Sequence, residues 1–301
     1  MGTANVIPGV SGGTIALITG ILERIIDAIK NTLSIQSAKL FFTGKFSQWL
    51  KHTDIMFALV LGVGIIAAIA SIARLFEYLF VAYPVYLWAF FFGLVLASVW
   101  FVGRTVTKWN FWIIILFILG TSVAVIMAVL KPMGENTGLV YLLICGAVAA
   151  CSMILPGISG SFVLVLMGNY ELIMIRAVNT LDLSILIPVI IGAGAGLLVF
   201  SYILSWIFKK FKNQTISTLS GFMFGSLLVI WPWKTPVWKT NTAGEFILSR
   251  GGDKVVEKYN WILTPEVNAQ LFIALGFIVL GIAVIALTET IATQNNKKTK
   301  Q

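Results

Sequence analysis

Six runs of about 20 apolar residues, the length a helix needs to cross the hydrocarbon core of a bilayer, leave this chain few ways to fold. They cover Asp54 to Leu75, Pro84 to Gly103, Phe111 to Leu130, Ser184 to Phe208, Ile216 to Trp231 and Val267 to Leu287, the fifth being short and open to lengthening at its N-terminal end. Only 11% of the residues are charged and 58% are apolar, against roughly a quarter charged in soluble domains. A soluble surface cannot be covered on those terms. The runs predict an all-α polytopic membrane protein, because a helix satisfies its backbone polar groups internally within lipid. Two cysteines are too few for a disulfide scaffold. The net charge of +9 is explained most simply by membrane orientation and attraction to anionic lipid heads, so no nucleic-acid partner is expected.

Two further apolar stretches are interrupted. Thr14 to Leu22 is short and follows Pro8, Gly9, Ser11, Gly12 and Gly13; Gly138 to Leu155 runs into Pro156-Gly157 and then into a second apolar run, Phe162 to Met167. Apolar runs broken by Pro-Gly at membrane depth predict re-entrant or discontinuous helices. Asn31 to Thr53 reads as a basic, amphipathic connector lying along a membrane face, with Lys39, Lys45, Lys51 and Trp49. The polar loop Lys234 to Leu263 is flanked by Trp231, Trp233, Trp238 and Trp261, as in an interfacial belt.

The interruptions repeat. Pro8-Gly9-Val10-Ser11-Gly12 recurs as Pro156-Gly157-Ile158-Ser159-Gly160, 148 positions later, and at the same offset Gly20 falls on Gly168 and Glu23 on Glu171. Leu61-Gly62-Val63-Gly64 resembles Ile191-Gly192-Ala193-Gly194 at an offset of 130, and Phe90-Phe91-Phe92-Gly93 resembles Phe222-Met223-Phe224-Gly225 at 132. Matches in one order at nearly equal offsets predict two homologous halves: residues 1–137, a motif element plus three spanning helices; residues 138–293, a re-entrant hairpin plus three; and a disordered polar tail, 294–301. Three crossings between equivalent points turn the second half upside down, the inverted-repeat plan of many secondary transporters. That plan needs residues 138–177 to enter and leave on one face. Thirteen of the 21 Lys and Arg then share a face with both termini, which makes that face cytoplasmic. A full crossing at Gly138 to Leu155 gives the same split, so the repeat and not the charge carries the choice. The first motif lacks the leading helix that Gly138 to Leu155 gives the second, so either the first hairpin has no leading arm or the sequence begins downstream of the original start.

In Pro8-Gly9-Val10-Ser11-Gly12-Gly13-Thr14, Pro8 has no backbone donor and Gly9 permits turns closed to other residues. Free N–H groups at a following helix N-terminus favour an anion, and the Ser11 and Thr14 hydroxyls add donors. Ser159, Gly160 and Ser161 offer the same after Pro156-Gly157. Two such ends converging at the midplane would form one phosphate site; the competing reading is a kink that lets helices pack closely. Ionisable groups near these elements, Glu23, Arg24, Glu171 and Arg176, are candidates for coupling or phosphate pairing, or else ordinary interfacial charges. His52 is expected in solvent, and Cys145 and Cys151 as small buried hydrophobes. One His and two separated Cys supply no metal site, and there is no Walker loop.

The run Gly2-Thr3-Ala4-Asn5-Val6-Ile7-Pro8-Gly9-Val10-Ser11-Gly12-Gly13-Thr14, with Leu155-Pro156-Gly157-Ile158-Ser159-Gly160-Ser161, resembles the bacterial polyprenyl-phosphate transporter family, long catalogued as a domain of unknown function. The resemblance covers almost the whole chain. It implies flipping of undecaprenyl phosphate or a similar lipid across the cytoplasmic (inner) membrane for carrier recycling in cell-envelope synthesis, and it adds Asn5 to the phosphate-binding set. It implies no cofactor and no enzyme activity; the partners are the lipid and the bilayer, with a homo-oligomer left open. Energy source and prenyl length stay open. Two rivals remain. A membrane polyprenyl-pyrophosphate phosphatase would continue Pro-Gly-x-Ser with Arg-Ser-Gly and carry a glutamate-rich helix, whereas Gly12 and Gly160 follow the serines here. A small-anion transporter would use the same paired helix ends.

Overall fold

The computed structural model describes residues 1–2, 12–238, 256–263 and 265–298. A short apolar helix, α1 (Gly12–Ile18), leads into α2 (Leu22–Thr32), which buries Leu22, Ile26 and Ala28. The basic connector follows as α3 (Ile35–Phe42) and α4 (Phe46–Thr53). Trp49 Nε1 donates to Ser37 Oγ at 2.8 Å across this pair, and Phe41 meets both Phe46 and Trp49 edge-on. Ile35 and Phe42 point away, 90% and 86% exposed, which suits an amphipathic pair resting on lipid.

The long helices come next: α5 (Ile55–Ala82), α6 (Pro84–Gly103) and α7 (Phe111–Val129), then α8 (Leu139–Ile154) and the short α9 (Gly160–Leu166). A π-helical turn, Glu171–Ala177, continues as α10 (Val178–Thr180), followed by α11 (Leu183–Lys210), α12 (Lys212–Ser226), strands β1 (Lys234–Trp238) and β2 (Val256–Trp261), and α13 (Ala269–Lys298). Local chemistry sets several starts. Pro84 opens α6, where a missing N–H costs nothing. Asn110 caps α7 by accepting from the Ile113 N–H at 3.0 Å, and Asp182 caps α11 by accepting from the Ser184 N–H.

Among the described residues four helices are long and apolar enough to cross a membrane alone: α6, α7, α11 and α13 as far as Thr290; two bent pairs, α4 with α5 at 58° and α9 with the π-helical turn and α10 at 110°, are each either a broken span or a re-entrant element and bring the number to at most six. The chain is thus a multi-pass helical membrane protein. Its main pairings are α7 with α12, α8 with α11, and α6 with α13. Each is a close approach at glycine: Gly221 lies on the Phe117 backbone, Gly192 on Leu143 and Gly93 on Ile278. Phe91, Leu219, Met223, Ile230 and Phe208 form the core among them.

Three elements depart from the sequence expectation. The fifth span is α12, which begins at Lys212 rather than Ile216, ends at Ser226 and continues as turns to Ile230. Protein, not lipid, surrounds it, so it can carry Thr215, Ser217, Ser220 and Ser226 in the interior. Ser217 Oγ donates to the Ile113 carbonyl at 2.7 Å and Ser226 Oγ to Met223. The polar loop after Lys234 contains a two-stranded antiparallel hairpin, with Lys234 opposite Trp261; its aromatic and β-branched residues favour strand. Trp231 Nε1 to the Ile262 carbonyl and Trp261 Nε1 to Leu228 hold it down. Lastly, α13 stays helical through Lys298, across the start of the stretch read as a disordered tail. No Gly or Pro interrupts it after Gly281, and lysines at a helix C-terminus oppose its dipole favourably.

Candidate functional site

Pro156 and Gly157 turn α8 back into α9. Gly157 has φ +84°, and a Cβ there would stand 2.8 Å from the Phe222 and Met223 backbone on α12. Only glycine combines that angle with that approach. The return is a true hairpin. The Met133 N–H before α8 donates to the Leu166 carbonyl at the end of α9 at 2.8 Å, and Tyr141 Oη on α8 donates to Met167 at 2.7 Å. The start of α8 and the end of α9 therefore lie side by side.

The same turn brings the two motif copies into contact. The Gly157 N–H donates to Thr14 Oγ1 on α1 at 3.2 Å. Thr14 is 2% exposed, and Gly12 and Gly13 are buried beside it at the start of α1. At the start of α9, Ser159 and Ser161 share a hydrogen bond of 2.8 Å between their hydroxyls, and Gly160 lies against Ala149 and Met153 on α8. Gly157, Ser159, Phe162, Met127 and Ser226 line a small cavity next to this turn. Thr14 and Gly160 are buried, Gly157 and Ser159 are half-buried and Ser161 is exposed, so the two copies meet at Thr14 and Gly157 while the α9 hydroxyls lie nearer the surface. Asn5, Pro8, Gly9 and Ser11 lie outside the described residues.

Three of the four charged candidates are engaged elsewhere, and the fourth is exposed. Arg24 holds Asp54 through Nε at 2.6 Å and Nη2 at 3.0 Å, and its guanidinium sits 4.0 Å over the Phe57 ring. Arg176 pairs with Glu135. Glu23 pairs with Lys212 at 2.6 Å, and Glu171 is exposed at the start of the π-helical turn. Of these, Glu23 has the most suggestive surroundings. With Lys212, Glu289, Gly20, Thr105 and Phe208 it lines a cavity of about 250 Å³ at the ends of α1, α6, α11 and α13. His52 approaches Ser34 Oγ at 3.3 Å. Cys145 is buried.

Some residues with visible work carry no sequence signal. Asp27 accepts from Ser205 Oγ at 2.7 Å and pairs with Lys209, tying α2 to α11. Asn169 is wholly buried and bonds the segment before α8; its one sequence cue is an amide placed directly after Gly168 in an apolar stretch. Lys234 reaches the Val229 carbonyl and lies 3.9 Å from the Trp88 ring centre. Burial there pushes its ammonium down to about 7.

A family model described as undecaprenyl phosphate translocase-like matches residues 1–247. A polyprenyl-phosphate transporter of Vibrio cholerae serotype O1 is 41% identical over 246 residues, which cover 81% of this chain and 79% of the relative. A polyprenyl-phosphate transporter of Staphylococcus aureus is 29% identical over 249 residues, covering 77% and 83%. Both are named as transporters, not as enzymes. No solved structure matches the chain.

Proposed function

This chain belongs to the undecaprenyl phosphate translocase-like family, and we propose that it carries a polyprenyl phosphate across the bacterial cytoplasmic membrane by alternating access around its paired Pro-Gly-x-Ser-Gly elements. The observation that carries the reading is the contact of the two motif copies, Thr14 with Gly157. An anionic head crossing hydrocarbon unaided is prohibitively expensive, so a flippase must shelter it at the midplane while the prenyl tail remains in lipid. Backbone N–H groups at the starts of α1 and α9, with the Ser11, Thr14, Ser159 and Ser161 hydroxyls, supply donors without adding a permanent charge. In the described state Thr14 and Gly157 bond one another. An arriving phosphate would exchange that contact for its own.

Inverted halves would let one site face either side. The equivalent pairings of α6 with α13 and of α12 with α7, and the like placement of Gly93 and Gly225 at those contacts, support that plan. Glu23 and Glu171, equivalent by the 148-residue offset, are the proposed proton-coupling pair. The physiological role that follows is return of the carrier lipid for cell-envelope synthesis.

The test is transport of labelled polyprenyl phosphate in liposomes. Ser11→Ala with Ser159→Ala should slow it about tenfold or more, since a hydrogen bond to a charged group contributes about 1.5–3 kcal/mol. Normal transport by that double variant would remove the proposed site. Sustained phosphate release from a pyrophosphate-linked lipid would instead favour the phosphatase, and faster movement of inorganic phosphate than of lipid would favour a small-anion carrier.

A further inference from the structure

The two motif elements end alike but are covered differently. Gly20 closes α1 and Gly168 closes α9 with φ of +72° and +73°. The hydrogen bonds match as well: Gly20 N–H to Leu17 and Ile21 N–H to Ala16 in one, Gly168 N–H to Val165 and Asn169 N–H to Leu164 in the other. Both are Schellman turns, at positions 148 apart. A Cβ on Gly20 would meet nothing within 4 Å among the described residues, and Gly20 faces the cavity of about 250 Å³. At Gly168 the corresponding space is filled by the Met133 carbonyl and the Gly134 backbone.

The covering segment, residues 130–138, is fastened at several points. Asn169, with 0% exposure, accepts from the Asn136 N–H at 2.9 Å and donates from Nδ2 to the Asn136 carbonyl at 2.7 Å. Met133 bonds Leu166, Tyr141 bonds Met167, and Glu135 pairs with Arg176. The cavity at Gly20 lies at the opposite end of the molecule. Thr107 and Asn213, near its lining residues Thr105 and Lys212, bond one another at 2.8 Å before α7 begins, and the covering segment starts where α7 ends. The 19 residues of α7 put about 28 Å between the two faces.

We propose that residues 130–138 are a gate, that Asn169 is the positioning residue that latches it, and that the described state is open toward the basic face alone. This rests on the transport reading above. A carrier that alternates must uncover Gly168 on one stroke and cover Gly20 on the other. Opening the gate breaks the Met133–Leu166 hydrogen bond, the two Asn136–Asn169 hydrogen bonds and the Glu135–Arg176 pair, and water can take over all of these at that face. The first element has Ile21 where the second has Asn169, so no side-chain amide at that position latches the basic face. There Glu23 and Lys212 meet across the cavity lining.

The test separates gating from transport. In a Cys145→Ala, Cys151→Ala background, Ser159→Cys reports access to the motif in sealed, uniformly oriented vesicles, using an impermeant maleimide applied to the face bearing Lys131. Labelling should be slow with the latch intact and several-fold faster with Asn169→Ala. Glu135→Gln, which leaves the buried amide in place, should raise it less, in the same direction. Labelling unchanged in both variants overturns the gate, whatever the lipid assay reads. With Ser159 restored, a disulfide between Met133→Cys and Leu166→Cys should stop transport and release it on reduction; full transport by the oxidised protein also overturns the gate. Labelling that responds as expected in a protein moving no polyprenyl phosphate keeps the gate and removes the substrate reading.

Discussion

Gly20 and Gly168 show how far a single residue can be read from sequence. Their equivalence is legible in the 148-residue offset, because a left-handed turn after a short helix demands glycine in both copies. What lies over each is not legible, since the Met133–Gly134 backbone reaches Gly168 from more than 30 positions away. The difference predicts unequal costs. Gly20→Ala should lose about 1–2 kcal/mol from the left-handed backbone alone. Gly168→Ala should lose more, because its Cβ also displaces the covering segment. Thermal unfolding in detergent measures both, and equal losses would show that the cover yields freely. Lys234 gives a second prediction. Its folded pKa of about 7 lies below the ordinary 10.5, so below pH 7 both states hold the proton and the cost of burying it is fully present. Between pH 7 and 10 the unfolded chain keeps a proton that the folded one has shed, and stability rises with pH. Lys234→Met should flatten that rise; an unchanged slope would assign it to another group.

At the scale of elements, the signals that survived folding were those with one physical cause. Pro84 and Gly103 bound α6 as the sequence reading has it, because an apolar run with a proline start admits no other structure in lipid. The Pro156-Gly157 break became the hairpin turn for a similar reason. Where lipid is not the neighbour, hydropathy misleads. The interior of the bundle lets α12 keep its serines, so its start is invisible to an apolar count. The hairpin of β1 and β2 depends on pairing between segments that each look like polar loop. The weaker repeat signals divide in the same way. Gly192 is where α11 meets Leu143 on α8, whereas a Cβ on its counterpart Gly62 would meet nothing within 4 Å among the described residues. Gly192→Leu should therefore force α8 and α11 apart, costing about 1–3 kcal/mol by overpacking and lowering the yield of folded protein on size exclusion. A folded, fully stable Gly192→Leu protein would mean that this pairing is looser than its backbone contact implies.

For the whole molecule, orientation decides what the cavity and the gate do. In the inverted-halves plan proposed above, the basic connector α2–α4, the α6–α7 link and the α11–α12 junction share one side, and the segment 130–138 and the β1–β2 hairpin share the other. In that plan thirteen of the 21 Lys and Arg fall on the first side, and the positive-inside rule would make that side cytoplasmic. On that proposed orientation the cavity at Gly20 would face the cytoplasm, and the latched gate would face the compartment from which the proposed carrier lipid is collected. In that orientation the described state is the one that releases cargo. Single cysteines at Lys45 and Lys131, each in the Cys145→Ala, Cys151→Ala background, test this in intact cells. An impermeant maleimide added outside should label Lys131→Cys and spare Lys45→Cys until the membrane is opened. The reverse pattern would invert the molecule and turn the described state into one that loads from outside. Labelling of both in sealed cells would mean that residues on these two faces do not lie on opposite sides of the membrane, and would break the three-crossing relation on which the inverted halves depend.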